Sequence, residues 1–404
     1  MNAKFPGIHV MRAEVSGGDP GARRPFVRGR AMLSMLCLIS GMLLTGVGHA
    51  QQRVVTEELE LIVTTVAEGL QTPWGLAFLP DGGMLVTERP GALRIVDGAG
   101  QLSSPLAGVP RVHAQGQGGL LDVVLGPDFD TDRRIYFSYA QPTGRGARTA
   151  VARARLNAEA LRLDEVEVIF VQNEDPPGRH HFGSRLVFDG DGMLYVGMGD
   201  RSQYRDQAQA LDSHLGKVIR IHPDGSVPDD NPFIGRDDVQ PEIWSYGHRN
   251  IQGAALHPET GVLWTHEHGP QGGDEVNVGK AGANYGWPEI THGREYVTGR
   301  RIGEGTERDD VEPPVIQWTP SIAPSGMAFY TGDAFPQWQG NLFVGALRGQ
   351  LVSRLVLEGD RVVHEERILN ELRSRIRDVR AGPDGRIYLL DESNGRILRL
   401  DPPA

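Results

Sequence analysis

The stretch Leu186-Val-Phe-Asp-Gly-Asp-Gly-Met-Leu-Tyr-Val-Gly-Met-Gly-Asp200 decides the fold. An apolar couplet enters an Asp-Gly turn and a second apolar run leaves it, which is the pattern of a short hairpin. The same phrase returns five more times, beginning at Gly75 (GLAFLPDGGMLVTE), Val123, Ala254, Met327 and Val379. Taking Leu85, Ile135, Leu194, Leu263, Leu342 and Ile387 as equivalent points, the spacings are 50, 59, 69, 79 and 45 residues. A four-stranded blade takes about 40 to 50 residues, so the wider spacings hold blades with long loops. Six units predict an all-β chain: a six-bladed β-propeller of four-stranded antiparallel blades, closed so that few edges are exposed. Residues 58–65, Glu-Leu-Glu-Leu-Ile-Val-Thr-Thr, are placed to pair with the last blade and close the ring. Helical periodicity is weak, and residues 152–168 alone are open to either reading.

Outward from the repeats, length and composition set limits. A chain of 404 residues gives a first expectation of two or three domains. The N-terminus changes that count. Arg23, Arg24, Arg28 and Arg30 precede an apolar run over residues 31–47, and Gly48-His49-Ala50 supplies small residues before Gln51. This is the layout of a secretory signal, too short to span a membrane as a helix. Residues 1–50 are therefore expected to be an extension and signal peptide cleaved near Ala50. Residues 51–404 would form one catalytic propeller, exported to the periplasm, with no membrane span. The one cysteine, Cys37, lies inside the apolar run, so neither a disulfide framework nor a Cys-based zinc site is expected. The 41 Lys and Arg against 52 Asp and Glu leave a net charge of −11, which argues against nucleic acid as a partner.

The informative residues are those a blade does not need. His180 and His181 stand together before the third repeat, and a histidine there suits general-base work. Arg249-Asn250 precedes the fourth repeat and offers a rigid fork of donors plus an amide. Residues 266–275, His-Glu-His-Gly-Pro-Gln-Gly-Gly-Asp-Glu, combine hard carboxylate oxygens with a Gly-Pro backbone that exposes carbonyls. That donor set favours Ca²⁺ over a plain surface loop, and the His spacing does not fit a helical zinc motif. Arg348 follows the fifth repeat. Arg375 and Arg377 precede the sixth, two residues apart, and could share one direction. No nucleophile elbow, P-loop or dinucleotide fingerprint is present. A ring of Arg, Gln, Asn and His beside a calcium loop suits an anionic, carbonyl-rich small molecule.

Seven motifs in order carry a resemblance: GQGGLL from Gly116, HFGSRL from His181, SYGHRN from Ser245, EHGPQGGDEVN from Glu267, ANYGWP from Ala283, APSG from Ala323 and RIRDV from Arg375. From about Thr72 to the C-terminus the chain resembles the soluble PQQ-dependent aldose sugar dehydrogenases of the glucose/sorbosone dehydrogenase family. The resemblance implies a six-bladed propeller, PQQ and Ca²⁺ as cofactors, and an aldose substrate. It implies His181 as catalytic base, with His180 merely its neighbour, and Asp200 as the carboxylate that orients it. Gln117, Arg249, Asn250, Arg375 and Arg377 match cofactor-contacting positions, and Arg249 also polarises the quinone. The carbonyls of Gly269 and Pro270 match ligands of the calcium on PQQ. Glu275 and the Tyr285 carbonyl match a second, structural calcium site. Arg348 stands where glucose-oxidising members carry a Lys near the PQQ carboxylates. The segment Trp318-Thr319-Pro320-Ser321 looks closer to the broad-specificity aldose branch.

The reaction implied is oxidation of the aldose C1 to the lactone, with the electrons leaving to an acceptor that no motif identifies. Two other readings compete. A calcium-dependent, lactonase-like β-propeller hydrolase would need side-chain calcium ligands in the channel and no Arg pair. A non-catalytic periplasmic propeller would bind without turning over.

Overall fold

The structure, a computed structural model, describes residues 51–403. Six antiparallel sheets follow one another along the chain. Blade 1 holds Pro73–Phe78, Met84–Glu88 and Ala92–Val96; blade 2 runs from Leu120–Leu125 to Arg162–Val171. Blade 3 runs from Gly183–Phe188 to Ile243–Tyr246, blade 4 from Ile251–Leu256 to Ile316–Trp318, and blade 5 from Pro324–Phe329 to Arg361–Ile368. Blade 6 takes Ile376–Ala381, Ile387–Asp391 and Arg396–Asp401 from the C-terminal end. It is completed from the N-terminal side: Glu60–Ala67 pairs with Arg396–Asp401, and Gln51–Val55 pairs with Glu60–Ala67. The strand over residues 58–65 thus closes the ring as expected.

The first strands of successive blades touch in order around the ring, including that of blade 6 against that of blade 1. The fold is a six-bladed β-propeller. Blades 2 to 5 have four strands, blade 6 has five, and blade 1 has three. In blade 1 the outer position is taken by an irregular segment, bridged at Val96–Leu102 and bonded through Ser103 and Leu106. Residues 152–168 resolve as strand, in Ala147–Asn157 and Arg162–Val171. The proposed signal segment lies outside the described residues.

The recurring phrase is the inner hairpin of each blade. In blade 3, Asp189 and Met193 close the turn with Gly192 at φ 79°, a conformation that favours glycine. Both faces of every sheet are covered by neighbouring blades, so the strands read as nearly continuous apolar runs. Clusters fill the seams: Leu85, Val123 and Phe137 between blades 1 and 2; Trp264, Met327 and Val344 between blades 4 and 5; Leu76, Val86 and Leu390 between blades 6 and 1.

All six inner hairpins shift register near the start of the first strand, between Gly183 and Leu186 in blade 3 and at equivalent places elsewhere. A bulge re-aims side chains. Here it frees Asp122, Arg185 and Asp378 to meet. Arg185 lies 3.2 Å from Asp122 and 3.1 Å from Asp378, and Arg380 binds the same two carboxylates. The equivalent positions in blades 1 and 5 are Gly75 and Gly326. A Cβ at Gly326 would stand 2.0 Å from the Asp378 carboxylate, and one at Gly75 would stand 2.8 Å from that of Asp122. Charged side chains and glycines therefore share the crowded axis.

Candidate active site

Where the first strand of a blade begins, the second strand ends, because the two are antiparallel. Residues at these two kinds of position converge on one mouth of the ring. Trp74, Gln252, Ala323, Arg375 and Arg377 come from the strand starts; Arg89, His268, Leu347 and Glu392 come from the strand ends. All nine, with Gln117 and Gly183, line a cavity of about 280 Å³.

The cavity is cationic. Arg375 and Arg377 both reach Glu392, at 2.8 and 3.1 Å, so the pair does share a direction. Burial pushes the Glu392 carboxyl up, but the charges of Arg377 and Arg375 outweigh it and keep it ionised. Arg89 adds a third guanidinium to the wall. His268 brings no charge: burial lowers its pKa well below the ordinary value, and Nε2 lies 2.6 Å from the Pro324 carbonyl. Three guanidiniums against one carboxylate leave an excess of positive charge facing the cavity.

Beside it sits His181, buried, while His180 is exposed. Its Nδ1 lies 2.6 Å from Asp200 Oδ1. The other Asp200 oxygen accepts from Trp287 Nε1 at 2.8 Å, and the Ser202 amide donates to Oδ1 at 2.7 Å. Burial pushes the Asp200 carboxyl up, but the His181 bond, the Arg249 charge and the Ser202 amide together hold it below the ordinary range. An ionised acceptor fixes the tautomer: His181 carries its proton on Nδ1 and leaves a lone pair on Nε2. Burial, then the Arg249 charge, lowers the pKa of His181 against the opposing pull of Asp200, so the ring is neutral at pH 7. The backbone is fixed as well, since the His181 amide donates to Gln117 Oε1 at 2.7 Å. Asn250 accepts from the Gly183 amide at 3.1 Å.

Arg249 stands over the Trp287 ring at 5.3 Å and donates to the carbonyls of His268 and Gly269 at 2.7 and 2.9 Å. Gly269 is itself held by its backbone N–H, which donates to Asp274 Oδ1 at 2.8 Å. A Cβ there would stand 2.2 Å from the Gly272 carbonyl, so the loop admits only glycine. The carbonyls of Gly269 and Pro270 are oxygen donors of the kind Ca²⁺ takes. Glu275 and Tyr285 line a second cavity, of about 480 Å³. Burial and the neighbouring Glu267 push the Glu275 carboxyl well above its ordinary range.

The arrangement fits a polyanionic ligand. Arg249 Nε and Arg377 Nε are buried without a hydrogen-bond partner, and unmet buried donors call for acceptors. Among the described residues no group of three or more His, Asp or Glu could hold a metal through side chains alone. A calcium ion here would need backbone carbonyls such as those of Gly269 and Pro270.

Of the sequence-predicted residues, the structure brings His181, Asp200, Gln117, Arg249, Asn250, Gly269, Arg375 and Arg377 to this mouth. Arg348 differs: its side chain is exposed, makes no hydrogen bond or ion pair among the described residues, and does not line the cavity, although Leu347 does. Arg89, His268, Trp287 and Glu392 were not singled out by sequence. The position just after each blade's second strand is the signal that finds Arg89, His268 and Glu392.

The family model described as Glucose / Sorbosone dehydrogenase matches residues 70–399. The chain belongs to the glucose/sorbosone dehydrogenase family. Aldose sugar dehydrogenase YliI of Escherichia coli is 48% identical over 345 residues, covering 84% of this chain and 92% of that protein. Among solved structures, the apo form of the E. coli soluble aldose sugar dehydrogenase is similar at a TM-score of 0.82 and 47% identity, over 85% of this chain and 100% of that one. The PQQ-bound form of aldose sugar dehydrogenase from Streptomyces coelicolor is similar at 0.68 and 30% identity, over 87% of this chain and 99% of that one. A glucose/sorbosone dehydrogenase chain thus runs through all six blades.

Proposed function

We propose that this chain is an exported aldose sugar dehydrogenase that uses PQQ and Ca²⁺ to oxidise the anomeric carbon of an aldose to the lactone. The observation that carries the proposal is a neutral His181, locked by ionised Asp200, beside a cavity with an excess of guanidinium charge. The PQQ-bound relative supports the cofactor. Bound PQQ would supply the two-electron oxidising power the reaction needs.

The residues of the chain do the rest. His181 Nε2 removes the anomeric hydroxyl proton, and Asp200 stabilises the imidazolium that forms. Arg375, Arg377 and Arg89 line the cavity and would hold the cofactor carboxylates, for which a planar fork of donors is well matched. Arg249 and the carbonyls of Gly269 and Pro270 would hold the calcium end, placing positive charge where negative charge develops. Glu275 and the Tyr285 carbonyl would hold a second calcium. Arg348, at the rim, is left to meet acceptor or solvent. The hydrolase reading has less support: the channel carboxylates Asp122 and Asp378 are already paired with Arg185 and Arg380, so neither is free for a metal.

His181→Ala tests the assignment. Dye reduction with an aldose should fall by about 10²- to 10⁴-fold, the usual contribution of a positioned base. PQQ titration followed by absorbance should be unchanged. Near wild-type turnover in the variant would remove His181 from the mechanism.

A further inference from the structure

Three non-glycine residues in the left-handed backbone region meet at one point: His181 at φ 53°, Arg201 at 54° and Ser202 at 66°. Each such residue is strained, and such strain persists only where surrounding contacts over-determine it. Beside the Gln117 bond to the His181 amide and the Asp200 bond to the Ser202 amide, three further contacts come from one side chain. Arg201 is buried at 2% exposure. Its Nε donates to the His180 carbonyl at 2.9 Å, Nη2 to the Gly178 carbonyl at 2.9 Å, and Nη1 to the Ala147 carbonyl at 2.6 Å. The guanidinium lies 3.8 Å from the centre of the Phe182 ring, and the Arg201 amide donates to the His181 carbonyl at 3.3 Å. No carboxylate pairs with it among the described residues, although Asp200 is its chain neighbour.

A buried guanidinium without an ion-pair partner is expensive. Here all three nitrogens bond to backbone carbonyls, two of them in the loop that carries His181 and the third at the start of blade 2's third strand. We propose that Arg201 is the positioning residue that holds residues 178–182 against blade 2, keeps His181 in its left-handed conformation, and so aims Nε2. Asp200 holds the ring of His181 and Arg201 holds its backbone, from adjacent positions in one turn. The division explains why the turn after the third blade's second strand is itself strained. The inference rests on His181 as the base.

Lysine cannot replace this clamp. Its three donors radiate from one nitrogen and cannot span three carbonyls set around a planar fork. The test uses full-length holoenzyme with Arg201→Lys and Arg201→Met, read by kcat, KM, PQQ titration and the downfield proton resonance of the His181–Asp200 hydrogen bond. Both variants should lose about 10²-fold in kcat, as expected for a misplacement of about 1 Å. KM for the aldose should stay within about threefold and PQQ should still bind, a split that general unfolding would not give. The resonance should broaden or shift in both variants, and added guanidinium should partly restore kcat in Arg201→Met. A kcat within about twofold of wild type, or an unmoved resonance, would overturn the proposal. Should wild-type protein fail to oxidise aldoses, the resonance still reports on the clamp, so the two ideas fail separately.

Discussion

Asp200→Asn isolates the charge of the dyad from its shape. Asp200 Oδ1 receives two donors, His181 Nδ1–H and the Ser202 amide, and Oδ2 receives the Trp287 indole N–H. An asparagine has one acceptor to offer. With its oxygen toward His181 it serves two donors and turns its NH₂ against the indole. Flipped, it presents NH₂ to His181 and forces the proton onto Nε2, which abolishes the base. Each orientation keeps two hydrogen bonds, and the first, which leaves the base intact, is the one that isolates the charge. The energetic loss then has two parts. An unmet buried donor at Trp287 costs about 1–3 kcal/mol, paid in stability. The lost carboxylate charge costs the imidazolium about 4 kcal/mol, taking charge centres about 4 Å apart and an effective dielectric near 20. Only the second part is specific to the transition state, and about 4 kcal/mol corresponds to roughly 10³-fold in kcat. The assay is aldose-dependent dye reduction with saturating PQQ and Ca²⁺, beside a PQQ titration that should match wild type. A loss under about tenfold would show that Asp200 acts by geometry alone, and the electrostatic part of the reasoning would be wrong.

Other perturbations report on other parts of the site. The acid limb of kcat/KM should have its midpoint below pH 6.5, because burial and Arg249 lower the His181 pKa and the base works only when neutral; a midpoint above 6.5 contradicts the assigned surroundings. Gly269→Ala, whose Cβ would strike the Gly272 carbonyl, should weaken PQQ binding at fixed Ca²⁺ by about tenfold or more, the range seen when the support of a metal ligand is disturbed; equilibrium titration checks this. Arg185→Leu leaves Asp122 and Asp378 with one guanidinium between them and should cost about 3–5 kcal/mol in urea unfolding; a loss below about 1 kcal/mol would mean the axis network is not a stability element.

The fold was legible because its unit repeats. The hairpin phrase marks the two inner strands of every blade, and residues 58–65 read as the closing strand because a ring can be closed by pairing its two ends. The outer strands were less legible. Residues 152–168 alternate weakly because long Arg and Glu side chains line the exposed edge of blade 2. Blade 1 ends in a bridge where a fourth strand was expected, and the turn-rich segment around Ser103 carries no strand signal. The site was legible where a motif is local, as in residues 181–186 and 267–277. Arg89 and Glu392 each stand alone in sequence, and only the closure of the ring places them together. The role of Arg201 was hidden for a different reason: its partners are backbone carbonyls, which no side-chain pattern announces. Arg348 shows the converse, a cation one residue past the repeat-equivalent Leu347, with an exposed side chain.

Purified full-length chain, freed of cofactor, then given PQQ, Ca²⁺, an aldose and an artificial electron acceptor, tests the central claim most directly. The account predicts that acceptor reduction requires PQQ, is lost on calcium chelation, and yields lactone in proportion to acceptor reduced. Hydrolysis of a lactone without PQQ, or PQQ binding with no acceptor reduction for any aldose, would contradict it.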